Sequence, residues 1–282
     1  MTSGEPPTSA RPDWTDTFEY VAIDDPDDGQ RFTRYWDLEP LMRGPQPTPD
    51  WLVVDRAAVE TDLGVLKTGK EADVHLLERA VPGTDQQVVL AAKRYRSSEH
   101  RTFHRNAGYT EGRRTKDSRE ARAIAKKTAF GRQAAAGQWA WAEWESLGRC
   151  WEAGVPVPYP VQIDGTEILM ELVTVDGGPA PRLATARPGA DLLAEWYRQL
   201  TEAMAALAGR GFAHGDLSPY NVLAAGERLV IIDLPQMVDI VANPQGADFL
   251  MRDCRNVCSW FARRGLDVDE HALFGELMAS AW

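Results

Sequence analysis

Apolar and polar residues follow two different periods along this chain of 282 residues. Alternation at residues 72–76 and short apolar runs at residues 88–92, 168–172 and 229–232 predict β-strands. Apolar residues at helical spacing predict one helix that contains Trp139 and Trp144, and a long helix between Leu193 and Leu207. Two further helices are predicted at about residues 247–264 and 269–281.

The first 50 residues show no comparable pattern. They contain eight prolines and eleven acidic residues, a composition typical of a disordered or loosely docked arm. Aromatic side chains favour burial, however, so part of this arm, residues 1–50, is expected to lie across the folded domain. The aromatic residues are Trp14, Phe18, Tyr20, Phe32, Tyr35 and Trp36.

The overall composition is that of a soluble globular protein, with 44% hydrophobic and 26% charged residues. No run of 18 apolar residues predicts a membrane span, and the first residues lack the features of a secretory signal. Of three cysteines, Cys254 and Cys258 fall on the apolar face of a predicted helix, so we expect core thiols rather than metal ligands. A cytoplasmic location is therefore expected, without membrane contact.

Charge is unevenly distributed, although the formal net charge is −11. Residues 93–132 contain 13 Lys or Arg and only 4 Asp or Glu, and few of them are apolar. Two interpretations stay open for the loop predicted at about residues 96–132. It is either a flexible, solvated loop or a segment that attracts phosphate, whether of a nucleotide or of RNA.

The strongest chemical signal lies between His214 and Asp233. Asp216 and Asn221 are five residues apart in one tight loop, and the apolar strand that follows ends at Asp233. Phosphoryl transfer from a nucleotide needs this set, because one aspartate orients or deprotonates the acceptor while an asparagine oxygen and a second aspartate hold Mg²⁺. The alternative is a surface loop followed by an ordinary strand. The order and spacing of the three residues favour phosphoryl transfer.

Residues 64–74 nearly match a Walker A loop, but Glu71 occupies the position of the Mg²⁺-binding hydroxyl. A Walker loop must also lead into a helix, whereas the alternation after Glu71 predicts a strand. We therefore reject the Walker interpretation. The remaining interpretation is a hairpin turn that lies over phosphates, with Gly69 as the one glycine left of the three that are usual in kinases.

Lys93 lies at the end of a predicted strand, where a lysine is more often a solvated terminus than a ligand. A kinase-like fold, however, needs a lysine here to neutralise the α- and β-phosphates, paired with a glutamate on the next helix. Glu143 and Glu145 both lie on that helix, and because they are two positions apart only one can face Lys93. We predict that Glu145 is the partner, with Glu143 as the alternative.

The strand at residues 168–172 leads to a predicted hinge, where backbone groups would bind adenine. In protein kinases the metal aspartate is followed by Phe-Gly, and Ala-Pro-Glu closes the activation loop. Here Leu234 and Pro235 follow Asp233, and no Ala-Pro-Glu occurs after them. Residues 234–253 also contain no Ser or Thr that could be phosphorylated. Gly215 also replaces the arginine that a phosphorylated activation loop would contact. We therefore expect neither control by activation-loop phosphorylation nor a docking platform for extended peptides.

Together these segments resemble the RIO-type atypical serine/threonine protein kinases, in the subfamily without a winged helix and as a bacterial-type member. The resemblance covers about residues 60–264 and is carried by residues 67–74, 93–95, 141–145, 214–221, 231–233 and 248–254. It implies an α+β, two-lobed protein-kinase-like fold that is trimmed of the activation-loop platform. The lobes would be a β-rich N-lobe at residues 51–170 and a helical C-lobe at residues 171–282, with ATP and Mg²⁺ or Mn²⁺ bound between them.

The resemblance also implies a role for each site residue. Asp216, Lys93, Glu145 and Asp233 would be catalytic, and Asn221 and Asp233 would bind the metal. Asp233 would also accept a phosphoryl group in an ATPase-like cycle. The nucleotide would be bound by Thr68, Gly69, Lys70, Glu71, Ala91, Lys93, Met170, Glu171, Val173, Leu223 and Ile232.

The acceptor is expected to be a protein of unknown identity, with autophosphorylation as one outcome. Family members in other kingdoms act in maturation of the small ribosomal subunit. Two other functions stay open. Small-molecule kinases of the aminoglycoside or choline phosphotransferase type share the His-Gly-Asp loop and the later Ile-Asp, although little chain follows Asn221 to build an acceptor pocket. An ATP-gated switch that contacts the ribosome or RNA through residues 93–132 would perform little transfer.

Overall fold

Six β-strands form one antiparallel sheet in the N-terminal half of the chain. The computed structural model describes residues 29–96, 129–234 and 237–281. Within them the strands are β1 (Gln30–Phe32), β2 (Val59–Thr68), β3 (Ala72–Ala80), β4 (Gln87–Tyr95), β5 (Pro160–Asp164) and β6 (Glu167–Glu171). Their order in the sheet is β1-β2-β3-β4-β6-β5. The alternating segment at 72–76 and the apolar runs at 88–92 and 168–172 thus lie on β3, β4 and β6.

The described part of the predicted arm packs on this sheet. β1 pairs with β2, and Tyr35 is only 1% exposed. The hydroxyl of Tyr159 donates a 2.8 Å hydrogen bond to the carbonyl of Pro45. Part of the predicted arm therefore lies against the sheet, as expected from its aromatic residues, and its boundary at residue 50 stays a prediction. Residues 1–28 of the predicted arm lie outside the described residues.

Helix α1 (Ala129–Glu152) packs against β4, β5 and β6. Its apolar face contributes Ala140 and Leu147 to the main core, where they meet residues of the sheet such as Ile168; all three are at most 1% exposed. The basic loop predicted at about residues 96–132 falls almost wholly on residues 97–128, outside the part that is described.

The C-terminal half is mainly helical. Short strands β7 (Thr174–Val175) and β8 (Gly178–Pro179) precede helix α2 (Ala190–Ala208). Then come β9 (Phe212–Ala213), the hairpin of β10 (Val222–Ala225) with β11 (Arg228–Ile231), β12 (Val238–Asp239), and helices α3 (Gly246–Ala262) and α4 (Glu270–Ser280). Asp269 caps the N-terminus of α4, because its side chain accepts hydrogen bonds from the backbone N–H groups of His271 and Ala272. The structure confirms the predicted α+β fold, with a β-rich N-lobe and a helical C-lobe.

The predicted division of the lobes between residues 170 and 171 falls at the end of β6, and it stays a prediction. Cys254 and Cys258 are buried in the main core, as predicted, and the described cysteines form no disulfide. Among the described residues, no helix combines the length and the apolar composition that crossing a membrane requires.

Candidate active site

Lys93 links three separate parts of the fold. It lies on β4 between Val74 of β3 and Ile168 of β6, and its side chain is 14% exposed. Its Nζ donates hydrogen bonds to Oε1 of Glu143 at 2.6 Å and to Oδ1 of Asp233 at 2.9 Å. Burial alone would lower the pKa of Lys93. The negative charges of Glu143 and Asp233 have the larger effect, so the pKa of Lys93 lies above its usual value. The amine is therefore charged, and it joins the sheet, α1 and the loop after β11.

The predicted partner of Lys93 was wrong: Glu143 makes the ion pair, and Glu145 is exposed. The two side chains point about 200° apart around the helix, because each residue turns it by about 100°. Glu143 is three positions after Ala140 and four before Leu147, so it lies on the buried face of α1, and it is 1% exposed. Counting from these two buried positions would have selected Glu143 from the sequence.

Tyr95 is a residue of this site to which the sequence analysis assigned no role. Its hydroxyl donates to Oε2 of Glu143, so both carboxylate oxygens of that residue are bound. Tyr95 is two positions after Lys93 on β4, and alternate residues of a strand face the same side. Burial raises the pKa of Tyr95 far above its usual value, and the charge of Glu143 adds to the effect. The hydroxyl therefore stays protonated and orients Glu143.

Asp233 follows β11 and has a left-handed backbone, with φ of +68°. Aspartate tolerates this region better than most residues, and such outliers are concentrated at functional sites. The N–H of Ile232 donates to the carbonyl of Asn221 at 2.9 Å, which places the two predicted metal ligands on adjoining segments. The positive charge of Lys93 lowers the pKa of Asp233. Its side chain is nevertheless 49% exposed, so the carboxylate remains available to a ligand.

Helix α3 holds the loop that carries Asp216. Its Asp253 is 1% exposed and accepts hydrogen bonds from the backbone N–H groups of Gly215 and Leu217, both at 2.8 Å. Arg252 donates to the carbonyl of Gly215 and lies 3.9 Å from Oδ1 of Asp216. Burial raises the pKa of Asp253 to about 6. Asp253 was part of the segment that carried the family resemblance, but the sequence assigned it no role.

Within that loop, Asn221 is oriented by Asp216. Its Nδ2 donates to the main-chain carbonyl of Asp216 at 2.9 Å, so its side-chain oxygen is the atom left to act as a ligand. His214 contacts the segment that leads to Asp233, since its Nε2 lies 3.2 Å from the carbonyl oxygen of Ile232. The side chain of Asp216 itself is 62% exposed. An acceptor group can therefore approach Asp216 from solvent.

The predicted phosphate turn joins β2 and β3. The N–H of Gly69 donates to the carbonyl of Ala72 at 2.9 Å and closes the turn. A Cβ at Gly69 would lie 2.7 Å from that same oxygen, so a larger residue would force the turn open. The turn leads directly into a strand and not into a helix, in agreement with the rejection of a Walker loop. Burial raises the pKa of Glu71 in this turn, and the nearby Asp233 contributes further.

A cleft of about 380 Å³ lies between the lobes, within the range of nucleotide-sized sites. Thr68, Asp216 and Asn221 are not among its lining residues, although Thr68 lies between two of them and the carbonyl of Asn221 accepts from the lining Ile232. The side chain of Glu171 turns away from the hinge, since Oε2 accepts from the N–H of Tyr159 at 3.1 Å and Oε1 lies 3.3 Å from Arg228. The predicted residues that line the cleft are Gly69, Lys70, Glu71, Ala91, Lys93, Met170, Glu171, Val173, Leu223, Ile232 and Asp233.

The cleft also contains residues that the sequence analysis did not assign to the nucleotide. Besides Glu143 and Tyr95, these include Lys67 and Arg182. Lys67 directly precedes the predicted phosphate turn, and this position in the sequence could have suggested a role in nucleotide binding. Arg182 gave no signal, because it is distant in sequence from every motif that was recognised.

The donor set suits Mg²⁺ held jointly with phosphates. In the described part of the chain, no group of three or more His, Cys, Asp or Glu could hold a metal by itself. Mg²⁺ is usually bound by one or two protein oxygens together with substrate phosphates and water. One carboxylate from Asp233 and one amide oxygen from Asn221 match that requirement.

Most of this chain is similar to proteins of one known family. The RIO domain family matches residues 81–273. A RIO-type serine/threonine-protein kinase Rio1 from Haloferax volcanii is 36% identical over 211 residues, which cover 75% of this chain and 67% of that protein. Serine/threonine-protein kinase RIO1 of Caenorhabditis elegans is 33% identical over 73% of this chain and 38% of its own length. Human RIO3 is 34% identical over 48% of this chain and 27% of its own length.

Proposed function

Because the chain belongs to the RIO family of serine/threonine protein kinases, we propose that it binds ATP with Mg²⁺ or Mn²⁺ in the interlobe cleft and transfers the γ-phosphoryl group. The observation that carries this proposal is the position of Lys93, bonded to both Glu143 and Asp233. That arrangement places a fixed positive charge beside the aspartate that ends β11. The family match does not favour the small-molecule kinase considered from the sequence.

Each residue has a distinct task in the proposed reaction. Lys93 neutralises charge on the α- and β-phosphates, and Glu143 with Tyr95 holds its amine in place. Thr68, Gly69 and Lys70 cover the phosphates from the β2–β3 turn. The apolar residues at the other end of the cleft, Ala91, Met170, Val173, Leu223 and Ile232, enclose the adenine.

The remaining residues act on the reacting groups. Asn221 and Asp233 hold the metal, which when bound offsets the negative charge of the phosphates. Asp216 orients the acceptor hydroxyl and takes its proton as the new oxygen–phosphorus bond forms. The bond from the γ-phosphorus to the β,γ-bridging oxygen breaks, and ADP leaves with that oxygen. The acceptor is a protein hydroxyl, on another protein or on the chain itself.

A second form of the reaction uses Asp233 as the acceptor. Its carboxylate is 49% exposed in the cleft, so it can attack a phosphorus atom as well as bind a metal. The product would be an aspartyl phosphate and ADP, and water would then release phosphate and restore the carboxylate. This ATPase cycle and kinase activity share every binding residue and differ in the acceptor alone.

Incubation of the purified protein with γ-labelled ATP and a cell extract tests the proposal. A phosphoserine or phosphothreonine label survives hot dilute acid, whereas an acyl phosphate is hydrolysed there; base removes both the acyl phosphate and phosphoserine and so does not distinguish them. Label that is lost in hot acid supports the ATPase cycle, and label that survives it supports hydroxyl transfer; Asp233→Asn should abolish both, because Asp233 holds the metal in either form. Wild-type protein that neither labels a protein nor releases phosphate would contradict the proposed function.

Contact with RNA or the ribosome is a separate proposal, supported by the excess of basic residues at positions 93–132. Binding driven by phosphate contacts weakens steeply as salt is raised, because counterions are released on binding. Titration of a short RNA at several salt concentrations tests it. Binding that is absent or independent of salt would contradict this proposal and leave the kinase proposal intact.

A further inference from the structure

Lys67 and Arg182 line the cleft, and neither makes an ion pair within the part of the chain that the structure describes. Lys67 lies near the end of β2, opposite Val74, and Arg182 precedes a short 3-10 turn at Leu183–Thr185. Both line the cleft together with Asp233. Across residues 29–96, 129–234 and 237–281, no carboxylate oxygen lies within 4.0 Å of the charged nitrogens of either residue. Lys93, by contrast, has two such partners.

The main chain fixes the position of Arg182. It bridges to Leu223 of β10, and the neighbouring Pro181 accepts a 2.8 Å hydrogen bond from the N–H of Ala224. The carbonyl of Arg182 accepts from both the N–H and the hydroxyl of Thr185, at 3.0 and 2.9 Å. Arg182 is therefore anchored beside the strand that starts directly after Asn221. We call this side the floor of the cleft and the β2–β3 hairpin its roof.

The two charges act on each other across the cleft. Burial lowers the pKa of Lys67, and the charge of Arg182 lowers it further. Burial also lowers the pKa of Arg182, against the attraction of Asp233. Asp233 offsets this unfavourable environment only in part, since the pKa of each cation stays below its usual value, and a bound anion would offset it further. The geometry thus favours an anionic ligand between roof and floor.

We propose that Lys67 and Arg182 bind the phosphate chain of the nucleotide from opposite sides of the cleft. This inference rests on the proposed function and adds two residues to it. Phosphate is the anion of choice because Lys67 adjoins the Thr68–Gly69 turn, while Arg182 is anchored two residues from Asn221 along β10. A guanidinium also offers several N–H donors in one plane, which suits the oxygens of a phosphate.

Binding measurements on the full chain test the pair. Arg182→Met and Lys67→Met keep much of the side-chain volume and remove the charge, and Arg187→Met is the control, since that exposed arginine lies in the same loop but does not line the cleft. Calorimetry with adenosine, ADP and a non-hydrolysable ATP analogue, in the presence of Mg²⁺, gives the affinities. We expect each charge removal to weaken ADP and the analogue about 5- to 20-fold, as for a partly exposed charge-assisted hydrogen bond. Adenosine should bind all variants equally.

The melting temperature of the nucleotide-free protein separates binding from structure. If Lys67 and Arg182 repel each other, the melting temperature of either methionine variant should be unchanged or higher than that of the wild type. If either residue made a structural contact, its methionine variant would melt at a lower temperature. Arg182→Lys, which keeps the charge, should recover part of the ADP affinity.

Either of two results would contradict the proposal that Lys67 and Arg182 bind the phosphate chain. One is unchanged ADP affinity in both methionine variants, and the other is adenosine affinity that falls as much as ADP affinity. Both results can be interpreted only if the wild-type protein binds ADP. Wild-type protein that binds no nucleotide would instead contradict the proposed function itself.

Discussion

Lys93 donates a 2.6 Å hydrogen bond to Glu143 across 50 positions of the sequence. The pair fixes helix α1 against β4 and aims the amine at Asp233. Because the carboxylate is 1% exposed, removal of either charge leaves the other buried and poorly compensated. The position of the amine in the cleft therefore depends on one helical residue.

The glutamates of α1 give a matched pair of variants. Glu143→Gln keeps the size of the side chain but removes the charge that orients Lys93, so kcat/KM for ATP should fall by about 10²-fold, the effect of a small misplacement of a reacting group. Glu145→Gln changes an exposed residue on the opposite face and should leave kcat/KM unchanged. Steady-state kinetics check both. An equal loss in the two variants would show that the helix acts through its stability and not through the ion pair.

Asp216 should matter for turnover and not for nucleotide affinity. Its side chain is exposed beside Arg252 and is not among those that line the cleft. Asp216→Asn should lower kcat by about 10²- to 10⁴-fold, the usual contribution of a positioned acid–base group. Affinity for an ATP analogue should stay the same. Asp85→Asn, in the exposed turn between β3 and β4, is the control. Wild-type turnover in Asp216→Asn would remove this residue from the mechanism.

Asp233 should control how nucleotide binding depends on Mg²⁺. Asp233→Asn removes the charged metal ligand, so the gain in ADP affinity on adding Mg²⁺ should shrink by at least about tenfold, the value of one lost charge-assisted contact. Without Mg²⁺ the variant should bind ADP at least as well as the wild type, because a negative charge beside the phosphates is gone. Titrations with and without EDTA measure both. A variant that keeps the full Mg²⁺ effect would show that the metal is held elsewhere.

The pH dependence of stability should report Asp253. Burial raises the pKa of this carboxyl from 3.8 to about 6 on folding. A raised pKa stabilises the fold fully below pH 3.8, and that contribution is lost as pH rises through about 6. The loss amounts to about 3 kcal/mol, since each pKa unit is worth about 1.4 kcal/mol. The free energy of unfolding of the wild type, relative to Asp253→Asn, should therefore fall by about this amount between pH 4 and pH 7.

Urea unfolding of both proteins at several pH values measures this difference. Asp253→Asn should be less stable at low pH, because an amide cannot accept from both Gly215 and Leu217 as the carboxyl oxygens do. A difference between the two proteins that does not change with pH would contradict the raised pKa. It would leave the two hydrogen bonds as the only role of Asp253.

The sequence alone determined the elements of the fold and the chemistry of the central loop. Strands and helices depend on periodicity over about ten residues, which can be read directly, so β3, β4, β6 and all four helices were predicted. Asp216, Asn221 and Asp233 could be proposed as the reacting set because the roles proposed for them rest on residue type and on short spacings within one loop and one strand.

Only the tertiary structure decided which distant residues meet. The apolar face of α1 can be read from the sequence, but only the packing of that face on β4 shows that its Glu143 meets Lys93. The docking of residues 180–182 along β10 brought Arg182 into the cleft, and the packing of α3 under the His214 loop placed Asp253 beneath Gly215 and Leu217. Such contacts join residues tens of positions apart, and they depend on how whole elements pack, which no local pattern of apolar and polar residues records.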